Sequence, residues 1–330
     1  MISSIHIEGY RGFQDFRMEG LGRVNLLVGP NNGGKTSVLE AVYLLAAQGH
    51  PKMLWDLLSM RDEGKVRDSF DVRHLFFGHE ISEGIVVSLG SEEQTVVLSV
   101  AASSLRMERF PKQPVVLQLE PSGSLSSETI APFAGLLSKP PRNIQFLPAD
   151  SLKSEDLVEL WNKVVLTPDE DLVLESLRLL DPEIERIAAH VPVGDRGGFI
   201  VKRRGDASPV PVGSFGDGIW RALCLLIALT QCRGGTLLVD EVDNGLHRTV
   251  LDPLWSLIFK TAKELDVQVF ATTHSFDCVQ SLAAICPEEN DQAPQSEQVT
   301  LHRIERQRAK SIAYNQPKIR IVAEQGVEVR

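Results

Sequence analysis

The sequence predicts an α/β fold in which helices cover a mixed or parallel core sheet. The run Leu26–Ser37 reads as an apolar strand that enters a glycine-rich turn and opens a helix. The run Gly235–Glu241 is continuously apolar up to two carboxylates, and apolar residues on both faces are typical of a central strand in a covered parallel sheet. Val267–Ser275 predicts another buried strand, which ends in His274. A helical pattern separates these two runs. Strand and helix therefore alternate as in βαβ units, and the strands are expected to be parallel.

The elements around the glycine-rich turn follow from periodicity. Residues 2–8 alternate between apolar and polar and predict a strand, and Val24–Val28 predicts a second strand that leads into the turn. Beyond the turn, apolar residues recur at helical spacing from Thr36 to about Gln48. An antiparallel β lobe is predicted from three strand-like runs with turn residues between them, Ile85–Leu89, Thr95–Val100 and Val115–Leu119.

The middle of the chain changes character. Residues 152–190 are predicted to be helical, and Ile184 and Ile187 continue the apolar spacing after Asp181-Pro182. We therefore divide the chain into three parts. Residues 1–150 carry the glycine-rich turn and the antiparallel lobe, residues 151–193 form a short helical insertion, and residues 194–330 carry the second set of motifs.

Composition limits the classes of function. The chain has 330 residues and a formal net charge of −10, which argues against a wholly basic nucleic-acid coat protein. Two basic runs, Lys202-Arg203-Arg204 and Arg303–Lys310, are either DNA contacts or solvated faces. The four cysteines lack C-x-x-C spacing, so neither a zinc site nor a disulfide framework is indicated. No apolar run is long enough to span a bilayer, and we expect a cytoplasmic protein without a membrane partner.

The glycine-rich turn matches the P-loop pattern G-x-x-x-x-G-K-[ST]. Glycines let successive backbone N–H groups point at one anion, and the start of the helix adds its positive dipole end. Lys35 is expected to reach the β- and γ-phosphates, and the Thr36 hydroxyl to ligate Mg²⁺. The sequence thus predicts binding of a nucleoside triphosphate, with ATP and Mg²⁺ as cofactors. The residues expected at the nucleotide are Gly29, Pro30, Asn31, Asn32, Gly33, Gly34, Lys35, Thr36 and Ser37.

Two later strands end in residues that suit phosphate chemistry. Functional groups emerge at the carboxyl ends of parallel strands, so Asp240 is expected to hold the Mg²⁺ shell and Glu241 to orient or deprotonate the attacking water. Alternatively, the two acids are an exposed turn after a core strand. His274 follows Asp240 by 34 positions (274 − 240), after one helix and one strand, and should emerge beside the same site. A histidine there can contact the γ-phosphate or hold the water, although a lone histidine is more often structural.

A second glycine-containing loop precedes the apolar helix Ala222–Leu229. Ser214, Gly216 and Gly218 lie at the start of this helix and form a second anion-binding N-terminus. One nucleotide cannot easily use two such loops from one subunit. The pattern therefore predicts two subunits placed head to tail, with each loop closing on the nucleotide of the other.

The order of these motifs resembles the ABC-type ATPase heads of the SMC, RecF and OLD group. The similarity extends to the compact bacterial AAA-type ATPases related to OLD proteins, several of which serve in anti-phage systems. It covers nearly the whole chain and includes the opening Ile7-Glu8-Gly9-Tyr10-Arg11-Gly12-Phe13. The resemblance implies an ATP-hydrolysing head in which Lys35, Glu241 and His274 are catalytic.

The resemblance also implies roles for residues that the motifs alone do not assign. Asp243 would lie at the dimer interface, His274 would be the switch histidine, and Arg11 would contact the phosphate or base side of the nucleotide. Gln145 would be a metal-side Q-loop residue, or else a strand-buried glutamine satisfied by its neighbours. The residues that would contact ATP in the partner subunit are Ser214, Gly216, Asp217 and Gly218.

Departures from the family narrow the expected partners. The insertion of about forty residues is too short for an SMC-like coiled-coil arm, because at ~1.5 Å per residue a hairpin of that size protrudes at most ~30 Å. Only 56 residues follow His274 (330 − 274), fewer than a TOPRIM nuclease module needs. We therefore expect a separate effector protein, for which a nuclease is a candidate. Phe215 and Asp217 stand where transporter heads favour Gly-Gly-Gln, which argues against a transporter engine.

Three functions remain open from the sequence. The first is an ATP-dimerised, ATP-hydrolysing sensor or regulator within a defence or DNA-maintenance complex. The second is a RecF-like DNA-repair clamp that closes over duplex DNA, for which a steep salt dependence of DNA affinity is expected. The third is a non-hydrolysing scaffold that uses bound ATP only to join two subunits.

Overall fold

Two sheets organise the part of the chain that the structure, a computed structural model, describes. The described residues are 1–61, 69–79, 86–91, 95–101, 104–110, 112–120, 124–130, 143–150, 152–190, 198–286 and 299–326. In chain order, their strands are β1 (Ser4–Tyr10), β2 (Phe13–Glu19), β3 (Val24–Val28), β4 (Ser69–Asp71), β5 (Val86–Gly90), β6 (Thr95–Ala101), β7 (Ser104–Phe110), β8 (Lys112–Gln118), β9 (Ser124–Ser126), β10 (Ile144–Leu147), β11 (Ile184–His190), β12 (Gly198–Arg203), β13 (Val210–Pro211), β14 (Thr236–Val239), β15 (Gln268–Thr272), β16 (Val299–Arg303) and β17 (Ile312–Tyr314).

From residue 217 onward, helices alternate with the strands of the central sheet, except that β17 follows β16 directly. No helix of the described residues combines the length and the apolar composition that a membrane span requires. Short 3₁₀ turns occupy Val72–Leu75, Phe77–His79 and Val212–Phe215. The α-helices are α1 (Lys35–Ala46), α2 (Pro51–Met60), α3 (Ser127–Ile130), α4 (Ser154–Trp161), α5 (Pro168–Leu177), α6 (Asp217–Gln231), α7 (Arg248–Glu264), α8 (Phe276–Ile285) and α9 (Gln316–Glu324).

The central sheet has the order β10-β14-β15-β3-β16-β17, and all neighbours are parallel except the last pair. Every residue of β3, β14 and β15 is buried, as the apolar runs predict. Successive side chains alternate between two cores: Leu26 packs into the cluster on one face of the sheet and Leu27 into the cluster on the other. Both faces are therefore covered, and the carboxyl ends of β3, β14 and β15 meet at one edge.

The second sheet is antiparallel, with the order β2-β1-β5-β6-β7-β8. Three of its strands match the predicted β lobe. Strand β7 was not predicted, because charged Arg106 and Glu108 alternate with Leu105 and Met107, and the segment therefore contains no continuous apolar run. Together the two sheets confirm the predicted fold class: an α/β P-loop fold with a mixed core sheet and an antiparallel β lobe.

The insertion differs in part from the prediction. Helices α4 and α5 form as expected, but Ile184–His190 is strand β11 and pairs antiparallel with β12. Its register shifts between Ile184 and Arg186, and such a bulge lets Ile184 and Ile187, three residues apart, both be buried. The apolar spacing that indicated a helix is thus produced by a bulged strand. The predicted boundary at residues 193 and 194 lies outside the described residues, so the three-part division stays a prediction.

Candidate active site

The turn between β3 and α1 fits only glycine at two positions. Gly29 has φ 145°, and a Cβ added there would lie 2.3 Å from the carbonyl oxygen of Ile304, which follows the neighbouring strand β16. Gly34 has φ 100°, and its Cβ would lie 2.5 Å from the ring of Phe13. Other residues would meet both a steric clash and an unfavourable backbone conformation. The spacing of the motif therefore reflects how closely β16 and the β1–β2 hairpin approach the loop.

Lys35 lies inside this loop at 8% exposure. Its Nζ donates to the carbonyl oxygens of Gly29, at 2.9 Å, and Pro30, at 3.1 Å. Burial lowers the pKa of the Lys35 ammonium, while the nearby carboxylates of Glu241 and Asp240 favour its charged form. The ammonium of Lys35 is thus fixed at the loop, in the same cavity as the two acids. An anion bound there would be stabilised by its charge.

Asp240 connects the P-loop helix to the neighbouring strand. The Thr36 hydroxyl donates to Asp240 Oδ2 at 3.0 Å, and the Thr272 hydroxyl donates to Asp240 Oδ1 at 2.5 Å. The pairing of Val239 with Ala271 in β14 and β15 sets this contact, because the next residue of each strand is then adjacent. A hydroxyl and a carboxylate side by side are oxygen donors of the kind Mg²⁺ takes alongside substrate phosphates. The residues present therefore fit a magnesium ion.

Glu241 and His274 lie next to Asp240. The Glu241 N–H donates to the Thr272 hydroxyl at 2.8 Å, and Glu241 Oε1 lies 3.5 Å from His274 Nδ1. Glu241 has φ 45°, a backbone conformation that non-glycine residues adopt mainly where the surroundings enforce it. Both side chains are partly open to solvent, at 37% and 53% exposure. This arrangement can position a water molecule and accept a proton from it.

A buried arginine fixes the backbone of the two acids. Arg221, in the first half of α6, is 2% exposed, and its guanidinium donates to the carbonyl oxygens of Pro148 (2.9 Å), Asp240 (2.8 Å) and Glu241 (3.0 Å). Its role was not predicted from the sequence. The available signal was a charged residue directly before an apolar helix, which is rarely buried without a polar partner.

Most of the P-loop and the ends of two central strands line one cavity of about 370 Å³. Residues 31–37 of the P-loop, Asp240, Glu241 and His274, which are far apart in the sequence, meet there, whereas Gly29 and Pro30 are not among the lining residues. Their roles at a nucleotide stay predictions. Two arginines that were not assigned to the site, Arg61 and Arg306, complete the wall. The lining residues are Asn31, Asn32, Gly33, Gly34, Lys35, Thr36, Ser37, Arg61, Asp240, Glu241, His274 and Arg306.

Arg11 does not line this cavity. It is 8% exposed and pairs with the buried carboxylate of Glu40 on α1, and its Nε donates to the Tyr10 hydroxyl at 3.3 Å. The other oxygen of Glu40 accepts from Arg61 Nε at 2.5 Å. Glu40 thus pairs with two arginines, of which Arg61 lines the cavity and Arg11 is buried away from it. A nucleotide contact for Arg11 stays a prediction, while its place in this ion cluster is structural.

Gln145 lies in the middle of β10 opposite Leu237, three residues before Asp240 along β14. It is half-buried and does not line the cavity. At about 3.3 Å per residue, three residues correspond to roughly 10 Å along the sheet. Its assignment to the metal therefore stays a prediction without support from its position.

The second glycine-containing loop lies outside the cavity. Ser214, Gly216 and Asp217 are exposed and Gly218 is half-buried. A Cβ added to Gly245 would lie 3.4 Å from Cβ of Asp217, so this loop packs beside the turn that carries Asp243. The carboxylate of Asp243 accepts from the Thr273 hydroxyl at 2.6 Å, which connects the turn to the strand end that carries His274.

Comparison with known proteins places this site in a wider group. A family model described as "AAA domain, putative AbiEii toxin, Type IV TA system" matches residues 24–277, which include both acidic and glycine motifs. A Helicobacter pylori protein named "ATP/GTP phosphatase" is 25% identical over 338 aligned positions, which cover 88% of this chain and 90% of that protein. A local match to the DNA replication and repair protein RecF of Bacillus cytotoxicus is 32% identical over 80 residues and covers 22% of this chain and 20% of RecF.

Solved SMC heads share the fold. An SMC head bound to the C-terminal winged-helix domain of ScpA aligns with a TM-score of 0.50 and 13% identity, over 95% of this chain and 97% of that one. An SMC head with an extended coiled coil, bound to the C-terminal domain of ScpA derived from Pyrococcus furiosus, aligns with a TM-score of 0.52 and 11% identity, over 99% and 100%. At these identities the similarity is one of fold.

Proposed function

Because this chain belongs to the family of AAA domains whose model it matches, and has the fold of ABC-type P-loop ATPase heads, we propose that it binds ATP with Mg²⁺ and hydrolyses it. One observation carries this proposal: a single cavity brings together the P-loop with Lys35, the Thr36–Asp240 pair, and Glu241 beside His274. The Helicobacter pylori relative named "ATP/GTP phosphatase" supports the same reaction class.

In the proposed mechanism, the backbone N–H groups of residues 29–35 bind the phosphates and Lys35 leaves its carbonyl partners to contact the β- and γ-phosphates. Thr36 and Asp240 would hold Mg²⁺, which neutralises charge on the phosphate oxygens. Glu241 orients and deprotonates the attacking water, and His274 holds that water or the γ-phosphate. Arg221 keeps both acids in place through their carbonyl oxygens.

We further propose that the site is completed by a second subunit. The exposed loop Ser214–Gly218 opens α6 and offers N–H groups to an anion, yet it lies outside the cavity of its own chain. In a two-fold dimer each such loop would close on the nucleotide of its partner. The position of the loop beside the Asp243 turn supports this, because both would then face the same interface.

The role of such a dimer is proposed to be regulatory. ATP-dependent closure would signal to a separate effector protein in a defence or DNA-maintenance complex, as the resemblance to OLD-related ATPases implies. The solved SMC heads bind domains of ScpA, which supports a protein partner. The local similarity to RecF favours a second candidate, a DNA-repair clamp. A DNA affinity that falls steeply with salt would distinguish the clamp from the regulator.

The proposed function is tested by Lys35→Ala, with the exposed Lys318→Ala as the matched control. Loss of charge-assisted hydrogen bonds to phosphate should weaken ATP binding by about 10- to 100-fold in isothermal titration. Phosphate release should fall with it, whereas Lys318→Ala should behave like the wild type. Unchanged ATP affinity in Lys35→Ala would remove the P-loop assignment. Tight ATP binding without phosphate release by the wild type would instead indicate the non-hydrolysing scaffold.

A further inference from the structure

Arg306 follows β16 and lies on the wall of the cavity nearest the β1–β2 hairpin. A Cβ added to Gly34 would lie 3.5 Å from Arg306 Cγ, and one added to Gly12 would lie 2.8 Å from Arg306 Nε. The stem of the side chain therefore passes the P-loop, and the guanidinium extends beyond it over the hairpin. This places the charged group farther from the phosphate-binding backbone than the stem that carries it.

Arg306 is an exposed residue, and no ion pair or hydrogen bond joins its guanidinium to any residue in the described ranges. Its neighbours in the same basic run differ. Arg303 and Arg308 both pair with Glu305, at 2.9 Å and 2.7 Å, and Lys310 lies 3.6 Å from Glu19. Within this run, Arg306 is thus the cation that has no ion pair with a described residue and that lines the cavity.

The geometry of the cavity indicates which part of a nucleotide Arg306 would meet. Thr36 donates to Asp240 at 3.0 Å, and Lys35 and Glu241 line the same cavity, so under the proposed function the γ-phosphate lies at the wall that these residues form. A nucleotide whose phosphates fill the loop must direct its nucleoside away from that wall, toward the hairpin. Among the described lining residues there is no Phe, Tyr or Trp on which a base could stack. A planar guanidinium can take that role, because it stacks on aromatic faces.

We propose that Arg306 binds the nucleoside part of the nucleotide by stacking its guanidinium on the base, an inference that rests on the proposed function. Stacking uses the π face that every base has, so this contact accepts both adenine and guanine. Gly12 keeps the position open. The three atoms nearest to a methyl group at residue 12 would all belong to Arg306, at 2.8–3.2 Å, so the methyl group would displace that side chain.

The test measures the affinity of the full chain for ATP and for inorganic tripolyphosphate, both with Mg²⁺. Arg306→Ala should weaken ATP binding by about 3- to 10-fold, as expected for a partly exposed cation–π contact, and leave tripolyphosphate binding unchanged. Arg308→Ala, on the same loop, is the matched control and should bind both ligands like the wild type. Gly12→Ala should reproduce the loss for ATP, but should add nothing in the Arg306→Ala background, since both changes remove the same contact.

Two results would overturn the inference. One is equal ATP affinity in Arg306→Ala and the wild type. The other is an equal loss of ATP and tripolyphosphate affinity, which would make Arg306 a phosphate contact. Failure of the proposed function looks different: the wild type would bind neither ligand, or Lys35→Ala would bind both as the wild type does.

Discussion

Two glycine-containing loops open helices in this molecule, and their surroundings are opposite. The loop Gly29–Gly34 is enclosed by its own chain: β16 approaches Gly29, the hairpin covers Gly34, and Lys35 is buried. The loop Gly213–Gly218 is exposed, and a Cβ added to Gly213 or Gly216 would meet no atom within 4 Å. The two loops share glycines at a helix start, but not an environment.

Glycines at a helix start indicate that a loop can bind an anion, but the enclosure of the loop decides whether one chain forms the complete site. The P-loop already has a buried cation, a hydroxyl–carboxylate pair and a cavity. The second loop has only its backbone N–H groups and needs another surface to exclude water. Arg221 joins the two regions, because it belongs to the helix that the second loop opens and hydrogen-bonds to the backbone of both acids.

The largest effect is expected at the enclosed site. Glu241→Gln keeps the size of the side chain and the neighbouring Asp240 but removes the base, so the rate of ATP hydrolysis should fall by about 10²- to 10⁴-fold. ATP binding should persist, and an ATP-bound dimer should accumulate in size-exclusion chromatography. Hydrolysis at the wild-type rate would refute the assignment of Glu241. Asp252→Asn, at an exposed position of α7, is the matched control for removal of a carboxylate charge.

The exposed loop is tested by Ser214→Arg. ATP binding to a single subunit should remain, since Ser214 lies outside the cavity. Turnover should fall by about 10²- to 10³-fold, as when a donor to a transition-state anion is lost. Phosphate release by initial-rate assay and ATP affinity by titration would separate the two effects.

Mixing the Ser214→Arg and Lys35→Ala variants tests directly whether two subunits share one site. A heterodimer of Ser214→Arg and Lys35→Ala contains one intact composite site, because both defects fall on the same second site. The intact site joins the P-loop of the Ser214→Arg subunit to the second loop of the Lys35→Ala subunit. Weak but measurable hydrolysis from two inactive variants would demonstrate sharing. If heterodimers form and remain inactive, or if Ser214→Arg alone turns over normally, both loops do not serve one site.

A third prediction concerns acid sensitivity next to the P-loop. His302 of β16 is fully buried between the hydroxyls of Ser311 and Thr300, and burial lowers the pKa of His302 from 6.5 to about 4. The unfolded chain then binds a proton below pH 6.5 that the folded chain does not, so stability falls as the pH drops toward 4. Between pH 7 and pH 4.5 the wild type should lose about 2–3 kcal/mol more than His302→Gln. Urea unfolding at both pH values measures this difference, and equal losses would contradict it.

The smallest effect compares glycines of the two loops directly. Gly29→Ala should lower the free energy of unfolding by about 1–3 kcal/mol, because the new Cβ meets the Ile304 carbonyl at a strained φ. Gly213→Ala faces open space and should change it by less than about 0.5 kcal/mol. Denaturant midpoints measure both variants. Equal stabilities would mean that the P-loop is not confined as its contacts indicate.

Much of the site could be predicted because its chemistry is local in the sequence. A P-loop is a continuous segment, and the seven residues Gly235–Glu241 suffice to predict a buried strand that ends in two acids. His274 could also be located, because strand–helix–strand alternation fixes which strand ends share an edge. The predicted helix after the P-loop matches α1 within two residues at its C-terminus, since apolar spacing and Gly49 define it.

Other features depend on contacts that no local pattern encodes. Strand β11 was read as helix, because a bulge produces the same three-residue spacing of apolar side chains as a helix does. The ion pair of Arg11 with Glu40 was not predicted, because the burial of Glu40 is visible only once α1 packs on the β1–β2 hairpin. Arg61 and Arg306 reach the cavity from segments 245 positions apart (306 − 61), which periodicity does not relate.

By itself, the sequence determined the α/β class, the P-loop motif, and the strand ends that carry the acids and the histidine, because each of these is a short-range consequence of glycine conformation, strand burial or side-chain chemistry. Only the tertiary structure decided which arginines face the cavity, which of the two glycine loops is enclosed, and how Arg221 holds the acids. Those outcomes depend on distances between elements that are remote in the chain, and such distances are set by packing on both faces of one sheet.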